Sequence, residues 1–322
     1  MPSEGLRVDI ELLMLVITAG LMGYLLTDQF ISNALLSGLL TALFFLIGLQ
    51  IEPGILKNIR LKPKQMVLGL STVFVVAPAT AFIFGTIVPE FLDILLVIGI
   101  SAAGISSARI WSNMTNSDGD LAHDIGVVSL FTAFLAIPVL IAVTGLNIDY
   151  SVFASNALIP LTALFVGITA RNIKARAVSD LRYHFSKASF WLITLITVAQ
   201  THLIFLEEGF SLFYTFLYAS LVFMGFTLAC FGIAYLLTRI TDIYKKEARA
   251  IAFSTGSKNV AIAFFIALHI DGLAVALVGL YYFVRQLTGL VAVDLMVHGE
   301  FRAFKRLVLK ASSPLGKLRV NK

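Results

Sequence analysis

Ser254-Thr255-Gly256-Ser257-Lys258-Asn259 interrupts an apolar segment, Arg249 to His269, that otherwise reads as one membrane-spanning helix. Glycine and short hydroxyl side chains weaken a helix, and a lysine sits in the weak place. A cation at such depth is costly and faces a cavity, a partner or a pathway. Lys258 follows Arg249 by nine residues, about 13 Å of helix, which is too deep for easy snorkelling to an interface. A second apolar segment, Leu92 to Met114, carries a comparable interruption: Ser101, Gly104, Ser106, Ser107 and then Arg109. Two interrupted helices in corresponding halves of a membrane chain point to a transporter's binding site. The expectation is that the two cross near mid-membrane and form a substrate site, with Gly104 and Gly256 as hinges.

The composition is that of a membrane chain: 58% hydrophobic, 13% charged, with a mean hydropathy of +0.92. Soluble domains are about half apolar and a quarter charged. A span needs about 20 apolar residues, so ten spans fill roughly 200 of the 322 positions and leave no separate soluble domain. The apolar runs are too long for barrel strands, so the expected fold is an all-α polytopic bundle. The one cysteine, Cys230, lies in an apolar run and reads as a small buried hydrophobe. No Cys/His metal spacing, nucleophile–base pair or phosphate loop is present, so an enzyme is not expected. The net charge of +5 is spread over short loops and the tail, which argues against a nucleic-acid partner. The first helix lacks an A-x-A-like cleavage site and reads as retained.

In chain order the expected helices are Ile10–Leu26, Ala34–Ile51, Met66–Val88, Leu92–Met114, Leu121–Val143, Val152–Ile173, Ala188–Leu206, Phe210–Leu237, Arg249–His269 and Leu273–Val297. Apart from Arg109, Lys258 and Arg285, the other 21 of 24 Lys and Arg fall at the N-terminus, in or within three residues of alternate loops, or in the tail. The positive-inside rule then places both termini in the cytoplasm of a cell (inner or plasma) membrane. Five helices per half, 1–150 and 151–298, is the condition for two inverted repeats, with the interrupted helices 4 and 9 in corresponding places. The basic tail, 299–322, is expected on anionic lipid headgroups.

Thr41 to Gly85 contains a short apolar run, the segment Gly48-Leu49-Gln50-Ile51, the basic loop Leu61-Lys62-Pro63-Lys64 and a proline-bearing helix at Pro78. This resembles helices 2 and 3 of the bile acid:sodium symporter family. Arg249 to Ala263 resembles that family's R-T-x-x-x-E-x-G-x-Q-N-x-x-L-A crossover, with Arg249, Gly256, Asn259 and Ala263 coinciding. Arg285-Gln286-Leu287-Thr288-Gly289 resembles its late-helix N-x-x-G segment. The resemblance implies ten helices, a panel domain and a core domain, and crossing helices 4 and 9 at the site. It also implies departures. The family's sodium-binding glutamate and glutamine fall on Ser254 and Lys258, its helix 4 Ser-Asn pair on Ile110-Trp111, and a helix 5 hydroxyl ligand on Asp124. An ammonium in that cage would repel sodium, so sodium coupling is doubtful and proton coupling, uniport or exchange is expected instead.

Each candidate has a plain alternative. Lys258 reads as a built-in cation, paired with Asp124 or carrying a proton itself, against a snorkelling lysine. Asp124 reads as that partner or as a proton carrier, against an interfacial aspartate. Arg109 and Arg285 read as anchors for a substrate anion, since a guanidinium binds carboxylate in bidentate fashion; the alternative is an interfacial or packing role. Gln286 is placed in the same cavity. Ser106, Ser107, Ser254, Thr255, Ser257 and Asn259 read as site lining, against small-residue helix packing. His123, His202 and His269 read as core or interface residues; Trp111 and Trp191 are gates or, more commonly, aromatic anchors. The expected cargo is a small organic anion, a carboxylate, moved by alternating access. The rivals are a weak-acid or oxyanion efflux carrier and a gated channel or sensor.

Overall fold

Apolar runs that cannot rely on water close their backbone hydrogen bonds locally, and here they do so as helices. The computed structural model describes residues 33–51, 61–146, 148, 150–173, 188–189, 191–198, 200–201 and 211–297. The named elements are α1 (Asn33–Gln50), α2 (Pro63–Ile87), α3 (Leu92–Ile100), α4 (Ile105–Met114), α5 (Gly119–Thr144), α6 (Tyr150–Ile173), α7 (Ser211–Ile240), α8 (Lys245–Gly256), α9 (Val260–Ala267) and α10 (Gly272–Val297). Residues 191–198 are helical as well. Among the described residues there is no strand beyond one isolated bridge. The expected helix 1, the end of helix 7 past residue 201, His202, the basic positions 57, 60, 174, 176, 182 and 187, and the tail lie outside the described residues.

Among the described residues, five stretches are long and apolar enough to cross a membrane: α2, α5, Ser155–Ile173 within α6, α7 and α10. Their outer faces carry exposed Ile87, Leu135, Val143, Ile173 and Leu236. Lipid tails solvate such a surface, whereas water would not tolerate it at this extent. Helices 4 and 9 are both broken, into α3–α4 and α8–α9. The breaks are narrower than expected. Ser106, Ser107 and Arg109 are helical within α4, and Ser254, Thr255 and Gly256 complete α8. The hydroxyls of Ser254 and Thr255 fold back onto the Ala250 and Ile251 carbonyls within the helix.

Two local features of α2 and α1 position the site. Pro63 opens α2 at its first helical position, where a missing N–H costs nothing. Pro78 removes an N–H that the helix interior needs. Ahead of it the helix widens into a π turn, Thr72–Val76, and the Ala77 N–H reaches back to the Thr72 carbonyl. The next N–H would be that of Pro78, so the Val73 carbonyl has no donor in its own helix. α1 lies against α6 at backbone contact: a Cβ on Gly48 would meet Gly167 Cα and Ile168 N, each at 3.0 Å. That close approach aligns the two helices as one pair.

At one end of the bundle, Lys62 holds the carboxylates of Asp118 and Glu247, and Gln65 Nε2 donates to Glu247 Oε2 at 3.0 Å. Partial burial lowers the proton affinity of Lys62, but these carboxylates outweigh it and hold its pKa above the ordinary lysine value. Asp118 also caps α5, accepting from Leu121 N at 3.0 Å. The cluster ties the starts of α2, α5 and α8 together.

Candidate functional site: the crossing of two broken helices

α3 stops at Ile100, and Ser101 is extended (φ −65°, ψ 157°). α8 stops at Gly256, and Ser257 is extended (φ −91°, ψ 94°). A broken helix leaves orphan carbonyls on one side and orphan N–H groups on the other. Here the two breaks satisfy each other. Ala103 and Lys258 form an antiparallel bridge. Gly104 N donates to Ser257 O, and Asn259 N donates to Ala102 O at 2.7 Å. Ala103 N donates to Ser129 Oγ at 2.9 Å, and Tyr281 Oη donates to Gly256 O at 3.2 Å. Buried backbone polar groups need such partners.

Side chains join across the same crossing. Ser107 and Ser257 share a hydroxyl hydrogen bond of 2.7 Å. Thr255 Oγ1 and Thr72 Oγ1 share a hydroxyl hydrogen bond of 2.7 Å. Asn259 caps α9, its Oδ1 accepting from Ala261 N and Ile262 N at 3.0 and 3.2 Å. α4 has no such cap: Gly104 precedes it and offers no side chain. Asn259→Ala is expected to cost about 1 kcal/mol, read as a fall in thermal unfolding temperature of the purified protein.

Lys258 is fully buried, and its Nζ donates to Val73 O at 2.9 Å and Ser101 O at 3.0 Å. Its partners are therefore carbonyls, and Asp124 is not among them. The Asp124 carboxylate lies instead 3.3 Å from His123 Nδ1, with both residues buried in α5 and His123 Nε2 without a partner among the described residues. Arg285 is buried too. Its Nη1 donates to the Lys258 carbonyl, its guanidinium carbon lies 4.9 Å from the Tyr282 ring centroid, and its Nε has no partner among the described residues. Gln286 is half-buried and hydrogen-bonds Tyr282.

Other expected site residues have partners beyond the bridge itself. Arg109 sits five residues past Gly104, with Nη2 3.0 Å from Asp120 Oδ1, an exposed carboxylate at the start of α5. Ser254 Oγ is spent on the Ala250 carbonyl at 2.9 Å. Ser106 Oγ donates to Gln50 Oε1 at 2.8 Å, and Gln50 Nε2 donates to Ser189 Oγ at 3.1 Å. Gln50 was not among the expected site residues, although a glutamine ending an apolar membrane helix is a readable signal. Trp111 lies in the interior. It is buried between Phe231 and Phe253, at centroid distances of 5.9 and 6.1 Å, and closes over Gly289.

The sequence model of the Sodium Bile acid symporter family matches residues 38–206. The chain belongs to the sodium bile acid symporter family. It is also similar to P3 protein of Bos taurus, 24% identical over 229 residues, which covers 67% of this chain and 46% of that protein. The chain thus spans about half the length of that relative. This is a family of membrane transporters, and the chain is a multi-pass membrane protein. The family's name implies sodium, and three features of the crossing bear on that ion. An ammonium already holds the carbonyls of the crossing, Ser254 Oγ is turned into its own helix, and Trp111 stands in an apolar cluster where an oxygen ligand is implied.

Proposed function

We propose that the protein is a secondary carrier of an organic anion, with a carboxylate as the recognised group. The observation that carries this is the pair of buried cations at the crossing. Lys258 and Arg285 are 0% and 3% exposed, and no carboxylate is among their partners in the described residues. Buried charge without a counter-charge is expensive, and an anion from outside relieves it. The uncapped first turn of α4 adds the positive end of a helix dipole and free N–H groups. α9 is already capped by Asn259, so the anion is assigned to the α4 side, within reach of Ser106 and Ser107.

The carrier works by alternating access. Two inverted five-helix repeats, 1–150 and 151–298, supply one broken helix each, and the α1–α6 pair moves against the bundle that holds the crossing. Both termini face the cytoplasm. The test is reconstitution into liposomes with choline in place of sodium, followed by uptake of a labelled bile acid and of short aliphatic carboxylates. Saturable uptake with counterflow for at least one of them is expected. Flux without saturation or counterflow would mark a channel, and no uptake of any carboxylate would refute the anion reading.

A further inference from the structure

We propose that the ammonium of Lys258 is the resident cation of a carbonyl cage at the helix crossing, and that shortening this side chain turns the cage into a site for a small monovalent cation.

Each wall of the cage has a separate cause. Val73 O is orphaned because Ala77 N bonds Thr72 O and Pro78 has no N–H. Ser101 O is orphaned because α3 ends one residue earlier. The Lys258 Nζ supplies the donor each carbonyl lacks, at 2.9 and 3.0 Å, and is itself wholly buried. The surrounding dipoles also favour a cation. α3 and α8 both end at the crossing, and a helix C-terminus is its negative end. α4 and α9 begin there and present positive ends. The crossing therefore has a cation side and an anion side, and the chain fills the cation side covalently. Among the described residues no carboxylate contacts the ammonium, so carbonyl oxygens alone hold it, as they hold ions in a selectivity filter.

This inference stands without the carrier reading, because its test measures no transport. The full chain is purified in detergent, and thermal unfolding is followed in sodium, potassium, methylammonium or choline chloride at fixed ionic strength. The wild type should unfold at one temperature in all of them. Lys258→Ala should unfold roughly 10 °C lower in choline, because two buried carbonyls lose their donor. It should recover saturably with at least one of the three small cations, as a ligand bound only by the folded state requires. Lys258→Gln keeps a donor for one carbonyl and adds an oxygen ligand, so it carries the same expectation if the alanine variant does not fold. A wild type stabilised by sodium overturns the proposal. So does indifference of both variants to every small cation, or recovery that choline matches.

Discussion

Gly104→Val is expected to abolish transport and to cost about 3 kcal/mol or more of stability, the sum of overpacking and a lost hydrogen bond. A Cβ at this position would lie 2.6 Å from Ser257 Oγ, 3.1 Å from Ser107 Oγ and 3.1 Å from Ser257 O. The Ser107–Ser257 bond would break first, and the carbonyl could not retreat without opening the bridge between the two breaks. A branched side chain makes the conflict worse than alanine would. Gly38 is the control. It lies on α1 with nothing within 4 Å of its added Cβ, so Gly38→Ala should be neutral or stabilising, by about 0.5–1 kcal/mol. The check is thermal unfolding of both variants beside wild type. Equal effects at the two positions would mean that the crossing does not depend on close backbone approach at Gly104.

Arg285→Met is expected to reduce apparent affinity for the carboxylate cargo roughly 100-fold, in line with truncating one partner of a buried charge pair. Its effect on folding should be small. The substitution forfeits the bond to the Lys258 carbonyl and the contact with Tyr282. It also removes a guanidinium whose Nε is buried without a partner among the described residues. Replacing a buried charge by an apolar residue of similar length is often neutral or stabilising. Arg285→Lys should restore little, because an ammonium cannot reproduce the planar fork. Concentration dependence of uptake in proteoliposomes, beside thermal unfolding of the same preparations, separates the two effects. Normal uptake by a stable Arg285→Met protein would remove Arg285 from the cargo site.

Much of the fold was legible because a membrane imposes a simple rule. Every apolar run long enough to cross must satisfy its own backbone, so α2, α5, α7 and α10 could be read from hydropathy to within a few residues. The two interruptions were legible because glycine, serine and a buried lysine contradict their surroundings. Their exact extent was not. Ser254 and Thr255 look like helix breakers in a list of residues, but hydroxyls that bond the preceding turn are compatible with a helix. Arg109 looked deep by counting residues, yet its partner Asp120 is 76% exposed. Distance along a chain does not say which way a long side chain leans.

The sequence by itself determined the family, the helical membrane fold and the positions of the two breaks, since these rest on local composition and on motifs a few residues long. The tertiary structure alone decided the partners. It put the ammonium of Lys258 on Val73 O and Ser101 O and not on Asp124. It also joined Gln50 to Ser106 across 56 residues and set Arg285 on the Lys258 carbonyl. Those outcomes depend on which orphaned carbonyls and donors meet when distant segments pack, and no local pattern encodes that meeting.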